Sequence, residues 1–507
     1  MAMWRTFLLC FICVSYLTAQ SAPSEAADPL EQARSALQTG NVTQAVSVLQ
    51  DLLVKTPQAP GARALLAGVL LDQDRIEAAE EVVRKGLAPD VDPGPLHCAL
   101  GDIEFRKGNL KAADGEYSKA ARLNPKDARA VYGVGRVAAA YSLNGTAYRL
   151  FRLANRLNPG DETIVGAFTR FAATDQEQAQ ALEQYLASLD RNGRRNYQWL
   201  VARLELRKFL AGKHTWVLAS PYRPSKIRLR TLLIDPRRPY GVGVEVSVNG
   251  AKPETLLVDT GAGGIVMNRV MAAKAHVQRI ADLDVGGIGD KADPTGYLGF
   301  ADSIRVGDVE FHNCVVHVSD KKSVVESAGL IGPSVFDRFL ITMDFVHRSL
   351  ILDPLPGPAW DGETPVDRYQ GKELEGFTRV LRAGSDLLVA TRIEEGPDRL
   401  FLLDTGSSTT MMSTAAAHDV TKVHRDDSVR ITGVSGEVDK VYSADKVMLQ
   451  FAGFRQENRD VTAIDLSGVS RSEGTEISGI MGLPLIVLFR ITLDYRDGAV
   501  KFDYVHP

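Results

Sequence analysis

The spacing of apolar residues divides the chain into a helical part and a strand-rich part. Over residues 28–160 the pattern repeats every 34 residues. One position of the repeat is always alanine, at Ala45, Ala79, Ala113 and Ala147. Another is always small, at Ala33, Ala67, Gly101 and Gly135. This period predicts four helical hairpins stacked into a solenoid, because no single hairpin can bury its own apolar face.

Helical patterning continues over residues 161–213, which we expect to extend or cap the array. Apolar residues recur at helical spacing in "DQEQAQALEQYLASL" and "YQWLVARLELRKFL". The region from Arg191 to Arg238 is strongly basic, with thirteen lysines and arginines against Glu205 and Asp235. We interpret residues 214–240 as a basic, solvated linker; an anionic partner or lipid headgroup is the alternative.

From about Trp216 onwards, apolar and polar residues alternate, which is typical of strands. "GVGVEVSVNG" ends in a two-residue hairpin signal, and the returning strand leads into Asp259. "LLVATRIEEGPDRLFLLD" has the same arrangement and leads into Asp404. A proline-rich connection over residues 356–377 separates two predicted lobes, residues 241–355 and 378–507.

The two lobes read as copies of one β unit. Asp404 follows Asp259 by 145 residues, whereas "GIMG" at 479–482 follows "GLIG" at 329–332 by 150. "FRITLDY" follows "FLITMDF" by the same 150 residues. The fold class is therefore multidomain, with an all-α solenoid followed by an all-β bilobed domain. The repeat length, the small residues and the closing prolines of the helical part resemble tetratricopeptide repeats.

A single Asp-Thr-Gly has the composition of an ordinary surface turn. Two copies, each ending an apolar strand and each followed about 75 residues later by Gly-apolar-apolar-Gly, indicate a paired site. Two adjacent carboxyls cannot both ionise easily, so they share one proton and supply both an acid and a base. Gly261 and Gly406 permit a tight turn and a close approach. We expect Thr260 and Thr405 to hydrogen-bond across the axis.

These motifs resemble the active site of aspartic peptidases. The resemblance rests on Asp259-Thr260-Gly261-Ala262 and Asp404-Thr405-Gly406-Ser407, with Gly332 and Gly482 in the downstream glycine motifs. The lobes are similar to retropepsin-like units fused in tandem, as pepsin-like enzymes fuse theirs. The resemblance implies that Asp259 and Asp404 are catalytic. It also implies that water bound between them attacks a peptide carbonyl, with no cofactor, metal or covalent intermediate.

The resemblance also implies a hairpin flap that closes over the peptide. By position the candidate flaps are Val285–Tyr297 and Ile431–Tyr442, with Tyr297 and Tyr442 as possible flap tyrosines. The two copies differ after the glycine, where Ser407 replaces Ala262. We expect the Ser407 hydroxyl to donate to Asp404, which would make Asp404 the more acidic aspartate and Asp259 the holder of the shared proton.

The N-terminus has the pattern of a secretory signal over residues 1–22. A positive charge at Arg5 precedes the apolar run Phe7–Leu17, and small residues follow. We therefore expect an exported protein, periplasmic or secreted, with an uncleaved signal anchor as the alternative. No other segment is long and apolar enough to span a membrane. A net charge of −4 gives no argument for nucleic-acid binding.

The remaining cysteine and histidine residues suggest no further site. Cys98 and Cys314 lie in different predicted domains and form no disulfide framework. His312, Cys314 and His317 are close in sequence. On a strand, however, the first two face one way and the third the other, so we expect no metal there.

The leading hypothesis is an exported aspartic endopeptidase whose tetratricopeptide module recruits a substrate or a partner protein. A peptide-binding or scaffolding protein with inactive protease-like lobes is the alternative. A third possibility is that each lobe pairs with a lobe of another chain. For the helical array itself, a binding groove and a simple spacer are equally compatible with the sequence.

Overall fold

We describe the fold from a computed structural model of the chain. It describes residues 28–87, 94–172, 174–189, 198–235, 238–284, 295–319, 328–357, 360–361, 364–369, 371–426, 428–433, 436–438 and 440–505. The predicted signal peptide (residues 1–22) and most of the first predicted flap lie outside the described residues.

The N-terminal part of the described chain is helical, as the 34-residue period predicts. Its helices are α1 Pro29–Gln38, α2 Val42–Lys55, α3 Pro60–Asp72, α4 Ile76–Arg84, α5 Gly94–Arg106, α6 Leu110–Leu123, α7 Ala128–Ala140, α8 Asn144–Leu157, α9 Glu162–Phe171, α10 Asp175–Ser188 and α11 Gln198–Phe209. The four repeat units are the pairs α1–α2, α3–α4, α5–α6 and α7–α8. A Cβ at Gly101 would lie 2.5 Å from the Tyr117 ring, so the small residue is required by close helix packing.

Lobe 1 is a β-rich unit that begins upstream of its predicted start. Its elements are β1 Val217–Leu218, β2 Ser225–Arg228, β3 Arg230–Asp235, β4 Arg238–Val248, β5 Glu254–Val258, β6 Ile265–Asn268, α12 Arg269–Lys274, β7 Gln278–Asp284, β8 Thr295–Val306, β9 Val309–Ser319, β10 Gly329–Ile331, β11 Phe339–Asp344 and β12 Ser349–Pro354. The main sheet has the strand order β1-β9-β6-β10-β5-β4-β8-β7, and β3 pairs with β4.

Lobe 2 repeats this architecture after a connection that contains β13 Trp360–Asp361 and β14 Thr364–Pro365. Its elements are β15 Thr378–Arg379, β16 Leu381–Ala383, β17 Asp386–Ile393, β18 Asp398–Leu403, β19 Met411–Ser413, α13 Thr414–His418, β20 Val423–Arg425, β21 Thr432–Gly433, β22 Gly436–Glu437, β23 Tyr442–Phe451, β24 Phe454–Ile464, α14 Ser467–Glu473, β25 Gly479–Met481, α15 Leu483–Ile486, β26 Phe489–Asp494 and β27 Ala499–Tyr504. The main sheet has the order β16-β17-β18-β25-β19-β24-β23-β20.

A third sheet joins the two lobes. Its strand order is β15-β27-β26-β11-β12-β2, so each lobe contributes three of its described strands. At its centre β11 pairs antiparallel with β26, and Thr342 lies opposite Thr492. The two hydroxyl groups are 2.9 Å apart. These threonines occupy equivalent positions of the duplicated unit, so the pseudo-twofold axis passes between them.

The segment that we predicted to be a basic linker forms strands of lobe 1 in the structure. Residues 214–240 contain β1, β2 and β3 and the start of β4. Strand β2 pairs with β12 and thereby completes the sheet that joins the lobes. Ile227 on β2 is buried in the main core. The basic residues misled the prediction because they alternate with buried ones: Lys226 and Arg228 face solvent on either side of Ile227.

The helical array packs directly against lobe 2. Phe105, Leu110 and Tyr117 of the repeats share one hydrophobic cluster with Leu388 and Leu400 of lobe 2, among others. Polar contacts fix the same interface. The Thr475 hydroxyl donates to the Phe105 carbonyl (2.8 Å), and Arg136 donates to the Gly474 carbonyl (2.7 Å). The third and fourth repeat units are therefore built into the β-rich domain.

The last helix of the array reaches lobe 1. Leu206 and Leu210 at the end of α11 are buried against Leu298 and Phe300 of β8. The helical part therefore contacts both lobes. None of the helices in the described ranges is long and apolar enough to cross a bilayer.

Candidate active site

Asp259 and Asp404 lie at the ends of equivalent strands. Asp259 follows β5, which runs parallel to β10, and its backbone N–H donates to the Ile331 carbonyl (3.0 Å). Asp404 follows β18, which runs parallel to β25, and its N–H donates to the Met481 carbonyl (3.0 Å). Each apolar run therefore carries its carboxyl into the interior of the protein, where it meets the other copy.

The two threonines of the motifs form a reciprocal set of hydrogen bonds across the axis. The N–H of Thr260 donates to the Thr405 hydroxyl (3.1 Å), and the N–H of Thr405 donates to the Thr260 hydroxyl (2.9 Å). Each hydroxyl in turn donates to the opposite lobe, Thr260 to the Leu403 carbonyl (2.6 Å) and Thr405 to the Val258 carbonyl (2.8 Å). Both side chains are fully buried, so the two loops are held rigidly together.

Each motif glycine faces the aspartate of the other lobe. A Cβ at Gly261 would lie 3.0 Å from the carboxyl carbon of Asp404. A Cβ at Gly406 would lie 2.5 Å from the carboxyl carbon of Asp259. A side chain at either position would push the opposite carboxyl away. The glycines are therefore what allows the two acids to meet.

The downstream glycines support the active-site loops from behind. A Cβ at Gly332 would collide with the carbonyl of Ala262, and one at Gly482 with the carbonyl of Thr409. The Gly332 N–H donates to the Gly264 carbonyl (2.7 Å). Both glycine motifs thus pack against the loop that carries the aspartate of their own lobe.

The protonation of the two aspartates is coupled and unequal. Burial raises the pKa of Asp259 well above its usual value, and the neighbouring charge of Asp404 raises it further. Burial also raises the pKa of Asp404, but the hydrogen bond from Asp259 opposes that shift. The two carboxyls therefore share one proton, and the larger rise in the pKa of Asp259 favours that residue as its holder.

The model of the aspartyl protease family matches residues 244–335 and 389–485. The two matched segments lie in lobe 1 and lobe 2, so both lobes are similar to the aspartyl protease family. The tetratricopeptide repeat model matches residues 30–92 and 98–162, which confirms the interpretation of the 34-residue period. The chain thus combines tetratricopeptide repeats with two lobes that are similar to the aspartyl protease family. A search of curated proteins finds no match to it.

Solved structures similar to this chain include tetratricopeptide repeat proteins. One is a thermophilic tetratricopeptide protein from Thermus thermophilus, with 21% identity and a TM-score of 0.28, covering 34% of this chain and 97% of its own. Another is PilF from Pseudomonas aeruginosa, with 20% identity and a TM-score of 0.25, covering 37% of this chain and 91% of its own.

The source of the asymmetry in the protease dyad differs from the predicted one. The Ser407 hydroxyl donates to the Thr409 carbonyl (2.8 Å) rather than to Asp404, so the expected side-chain donor is wrong. The backbone N–H of Ser407 donates to Asp404 Oδ1 instead (3.1 Å), beside the N–H of Gly406 (2.8 Å). Asp259 Oδ1 receives the N–H of Gly261 from its own loop (2.9 Å), and the N–H of Gly406 across the axis also lowers the pKa of Asp259.

A second pair of acids lies beside the protease dyad, and the sequence analysis missed it. Asp386 at the start of β17 is buried and shares a hydrogen bond with Glu473 at the end of α14. Burial raises the pKa of Asp386 to about 9, with further contributions from the charges of Glu473, Asp259 and Asp404. Nothing in "AGSDLL" distinguishes Asp386 from a turn residue, because its partner lies 87 residues away.

The two candidate flap tyrosines lie on strands beside the core. Tyr297 is on β8 opposite Asp282 of β7, with the Arg279 guanidinium 4.7 Å from its ring centre. Tyr442 begins β23 and lies opposite Arg425 and Ala463. Both pack partly buried against the main core. Residues 285–294 of the first flap lie outside the described ranges, so a flap role for these tyrosines stays a prediction.

The histidines and cysteines of lobe 1 do not converge on one point. His312 is exposed and Cys314 is buried, whereas we expected the two to share a face. Asn313 between them has a φ of 58°, which interrupts the regular alternation. Within the described part of the chain, no three metal-ligating side chains are grouped. Cys98 and Cys314 are both buried as free thiols.

Proposed function

We propose that the chain is an exported aspartic-type endopeptidase that hydrolyses peptide bonds with a water held between Asp259 and Asp404. The main support is the dyad itself: two partly buried carboxyls, each opposite the glycine of the other lobe, whose pKa values are coupled. The similarity of both lobes to the aspartyl protease family supports the same assignment.

In the proposed mechanism, ionised Asp404 removes a proton from the water as it attacks the peptide carbonyl. Protonated Asp259 donates to the carbonyl oxygen and stabilises the charge that develops there. The roles are then exchanged while the amine leaves. Two loop N–H groups favour the charged form of Asp404, which suits it to be the base.

Export is part of the proposal because of the N-terminal pattern of residues 1–22. Two buried free cysteines give no disulfide that would depend on the compartment. We propose a periplasmic or secreted location, with an uncleaved signal anchor as the variant. Detection of the mature protein outside the cytoplasm, with its N-terminus at or near residue 23, would test this.

We further propose that the tetratricopeptide module presents protein or peptide ligands to the protease. Because α5–α8 pack on lobe 2, any groove formed by these helices lies next to the catalytic domain rather than on a separate arm. A ligand bound there remains close to lobe 2. This arrangement favours recruitment of substrate over a simple spacer.

The decisive experiment compares the wild-type protein with Asp259→Asn and Asp404→Asn on a mixed peptide library across acidic to neutral pH. We expect internal cleavage by wild type and a loss of at least about a thousandfold in both variants, since each carboxyl is required in one protonation state. Both substitutions preserve shape, and thermal unfolding of each variant controls for folding.

Absence of cleavage by well-folded wild type would favour the alternative, a peptide-binding protein on protease-like lobes. Cleavage that survives either substitution would contradict the dyad. Sedimentation of the active form distinguishes an intrachain site from one shared between chains, because the intrachain dyad requires no second copy.

A further inference from the structure

A cavity of about 530 Å³ lies where the helical array meets lobe 2. One wall is formed by α5, α7, α8 and α9, and includes Tyr132, Phe151 and Phe171. The other wall is formed by the β16–β17 hairpin and the end of α14, and includes Gly384 and Glu473. Neither the repeats nor the protease lobe forms this space alone.

The β16–β17 hairpin separates this cavity from the catalytic aspartates. Gly384 at its turn lines the cavity, whereas the next residue, Ser385, points at the active-site loop of lobe 1. A Cβ at Gly263 would lie 2.8 Å from the Ser385 hydroxyl oxygen. The following residue, Asp386, is hydrogen-bonded to Glu473 on the cavity wall, and the charges of Asp259 and Asp404 raise its pKa. Only a hairpin turn therefore lies between the cavity and the protease cleft.

Positive groups dominate the polar part of the wall. Arg136, Arg170 and Arg382 line it, and Glu473 is the carboxyl among the described lining residues. Glu473 accepts a hydrogen bond from Asp386 and also interacts with the charge of Arg170, so one carboxyl faces three arginines in this wall. Two nitrogens of Arg382 donate hydrogen bonds to the carbonyls of Tyr495 and Gly384. Its buried Nε has no hydrogen-bond partner among the described atoms.

The basic character increases at the rim next to α9 and α11. Arg170 is exposed, and its Nε donates to the Gly166 carbonyl of the same helix (3.3 Å). Arg203 lies near it, and burial together with the charges of Arg170 and Arg207 lowers the pKa of Arg203 to about 10. Arg207 is paired with Asp175, and Arg136 lies 3.6 Å from Asp102. Like charges held together in this way favour an anionic ligand.

We propose that this composite cavity is a substrate subsite that binds a carboxylate-bearing segment of the peptide while the adjoining segment enters the cleft between Asp259 and Asp404. The aromatic wall of the repeats suits apolar neighbours of the acidic residue. The inference rests on the proposed peptidase function. It assigns the enzyme a preference for acidic peptides, to which the tetratricopeptide module contributes directly.

The test measures binding separately from cleavage. Full-length protein with Asp404→Asn holds labelled peptides uncut, and fluorescence anisotropy gives their affinities. Two peptides differ only in glutamate against glutamine, and each is made with a free or an amidated C-terminus. We expect the glutamate peptide to bind at least about tenfold more tightly, since a guanidinium–carboxylate bond forms only with it.

The matched variants are Arg170→Gln at the rim and Arg156→Gln, an exposed arginine of α8 outside the cavity. We expect Arg170→Gln to remove most of the glutamate preference and Arg156→Gln to retain it. Arg203→Gln provides a second rim variant if Arg170→Gln unfolds. A preference for the free C-terminus alone would identify the terminal carboxylate as the bound group.

Equal binding of the glutamate and glutamine peptides, with no effect of the C-terminal amide, would overturn the inference. So would an Arg170→Gln variant that retains the full preference, or equally tight binding of inorganic phosphate to the same site. Selective binding without cleavage by wild type would reject the peptidase function but retain the site. Cleavage whose rate does not depend on peptide acidity would reject the subsite but retain the peptidase function.

Discussion

The two active-site loops carry the same motif but hold their aspartates differently. Asp404 accepts the N–H groups of Gly406 and Ser407, whereas Asp259 accepts the N–H of Gly261 from its own loop. The reciprocal threonine bonds are nearly symmetric. The hydrogen bonds between the two threonines are therefore symmetric, whereas the hydrogen bonds to the two aspartates are not. The N–H of Gly406 also lowers the pKa of Asp259, so the two carboxyls differ in which loop supplies their backbone donors. Both donors come from its own loop for Asp404, whereas one comes from across the axis for Asp259.

The hairpins before the two loops also differ. Gly243 lies opposite Leu257 in lobe 1 just as Leu388 lies opposite Leu402 in lobe 2, so Gly241 is the counterpart of Asp386. A Cβ at Gly241 would collide with the Leu257 side chain. Lobe 2 thus has a third acid beside the dyad at a position where lobe 1 has a glycine packed against Leu257.

The strongest test of the comparison replaces each motif glycine by alanine. Because the new Cβ at residue 406 would lie only 2.5 Å from the Asp259 carboxyl carbon, we expect Gly406→Ala to lower kcat/KM by about a hundredfold or more. Gly261→Ala leaves 3.0 Å to Asp404 and should cost several-fold less. Equal losses of kcat/KM in the two variants would contradict the comparison, because they would mean that displacing either aspartate has the same effect. Thermal midpoints of both variants separate local displacement from unfolding.

The third acid predicts a pH dependence of stability that lobe 1 does not share. The pKa of Asp386 is about 9 in the folded protein, whereas its ordinary value of 3.8 applies in the unfolded chain. The folded state therefore binds more protons between these limits, and its stability falls as the pH rises through them. We expect Asp386→Asn to remove part of this loss, so that its Tm relative to wild type increases from pH 5 to pH 9 by several degrees, corresponding to on the order of 2 kcal/mol.

Asp398→Asn is the control, because Asp398 is an exposed residue at the start of β18. Its Tm difference from wild type at each pH serves as the reference for an Asp→Asn substitution at an exposed site. If the Asp386→Asn curve also ran parallel to that of wild type, the assignment of a raised pKa to Asp386 would be wrong.

The smallest expected effect comes from exchanging the residues after the two glycines. In Ala262→Ser with Ser407→Ala, the backbone N–H that donates to Asp404 is retained. We therefore expect the acid limb of the pH–rate profile to shift by less than about 0.5 pH unit. A shift of about one unit to higher pH would show that the hydroxyl does contribute, as the sequence alone suggested.

Features repeated along the chain could be predicted from the sequence. The 34-residue period gives the helix pairs, and the offset of 145 residues leads to Asp259 and Asp404. The cross-axis role of Thr260 and Thr405 follows from placing two copies of one loop on a twofold axis. Such features are recoverable because each copy confirms the other.

Features that occur once, or that join distant segments, were missed. Residues 214–240 look like a linker because their charged positions outnumber the buried ones such as Ile227 and Leu229. Burial and the distant Glu473 raise the pKa of Asp386, and the contact between Phe105 and Thr475 joins segments 370 residues apart. The donor at Ser407 depends on backbone geometry that the side-chain sequence does not reveal.

The contact between Phe105 and Thr475 also has a consequence for the order in which the protein can fold. The repeats are synthesised long before lobe 2, so the apolar faces of Phe105 and Leu110 stay uncovered until Ile477 and Ile480 are made. A chain that ends before Thr475 would leave this surface open to solvent and to aggregation. The last part of lobe 2 thus covers an apolar face of the helical array, and the array and lobe 2 reach their final packing together.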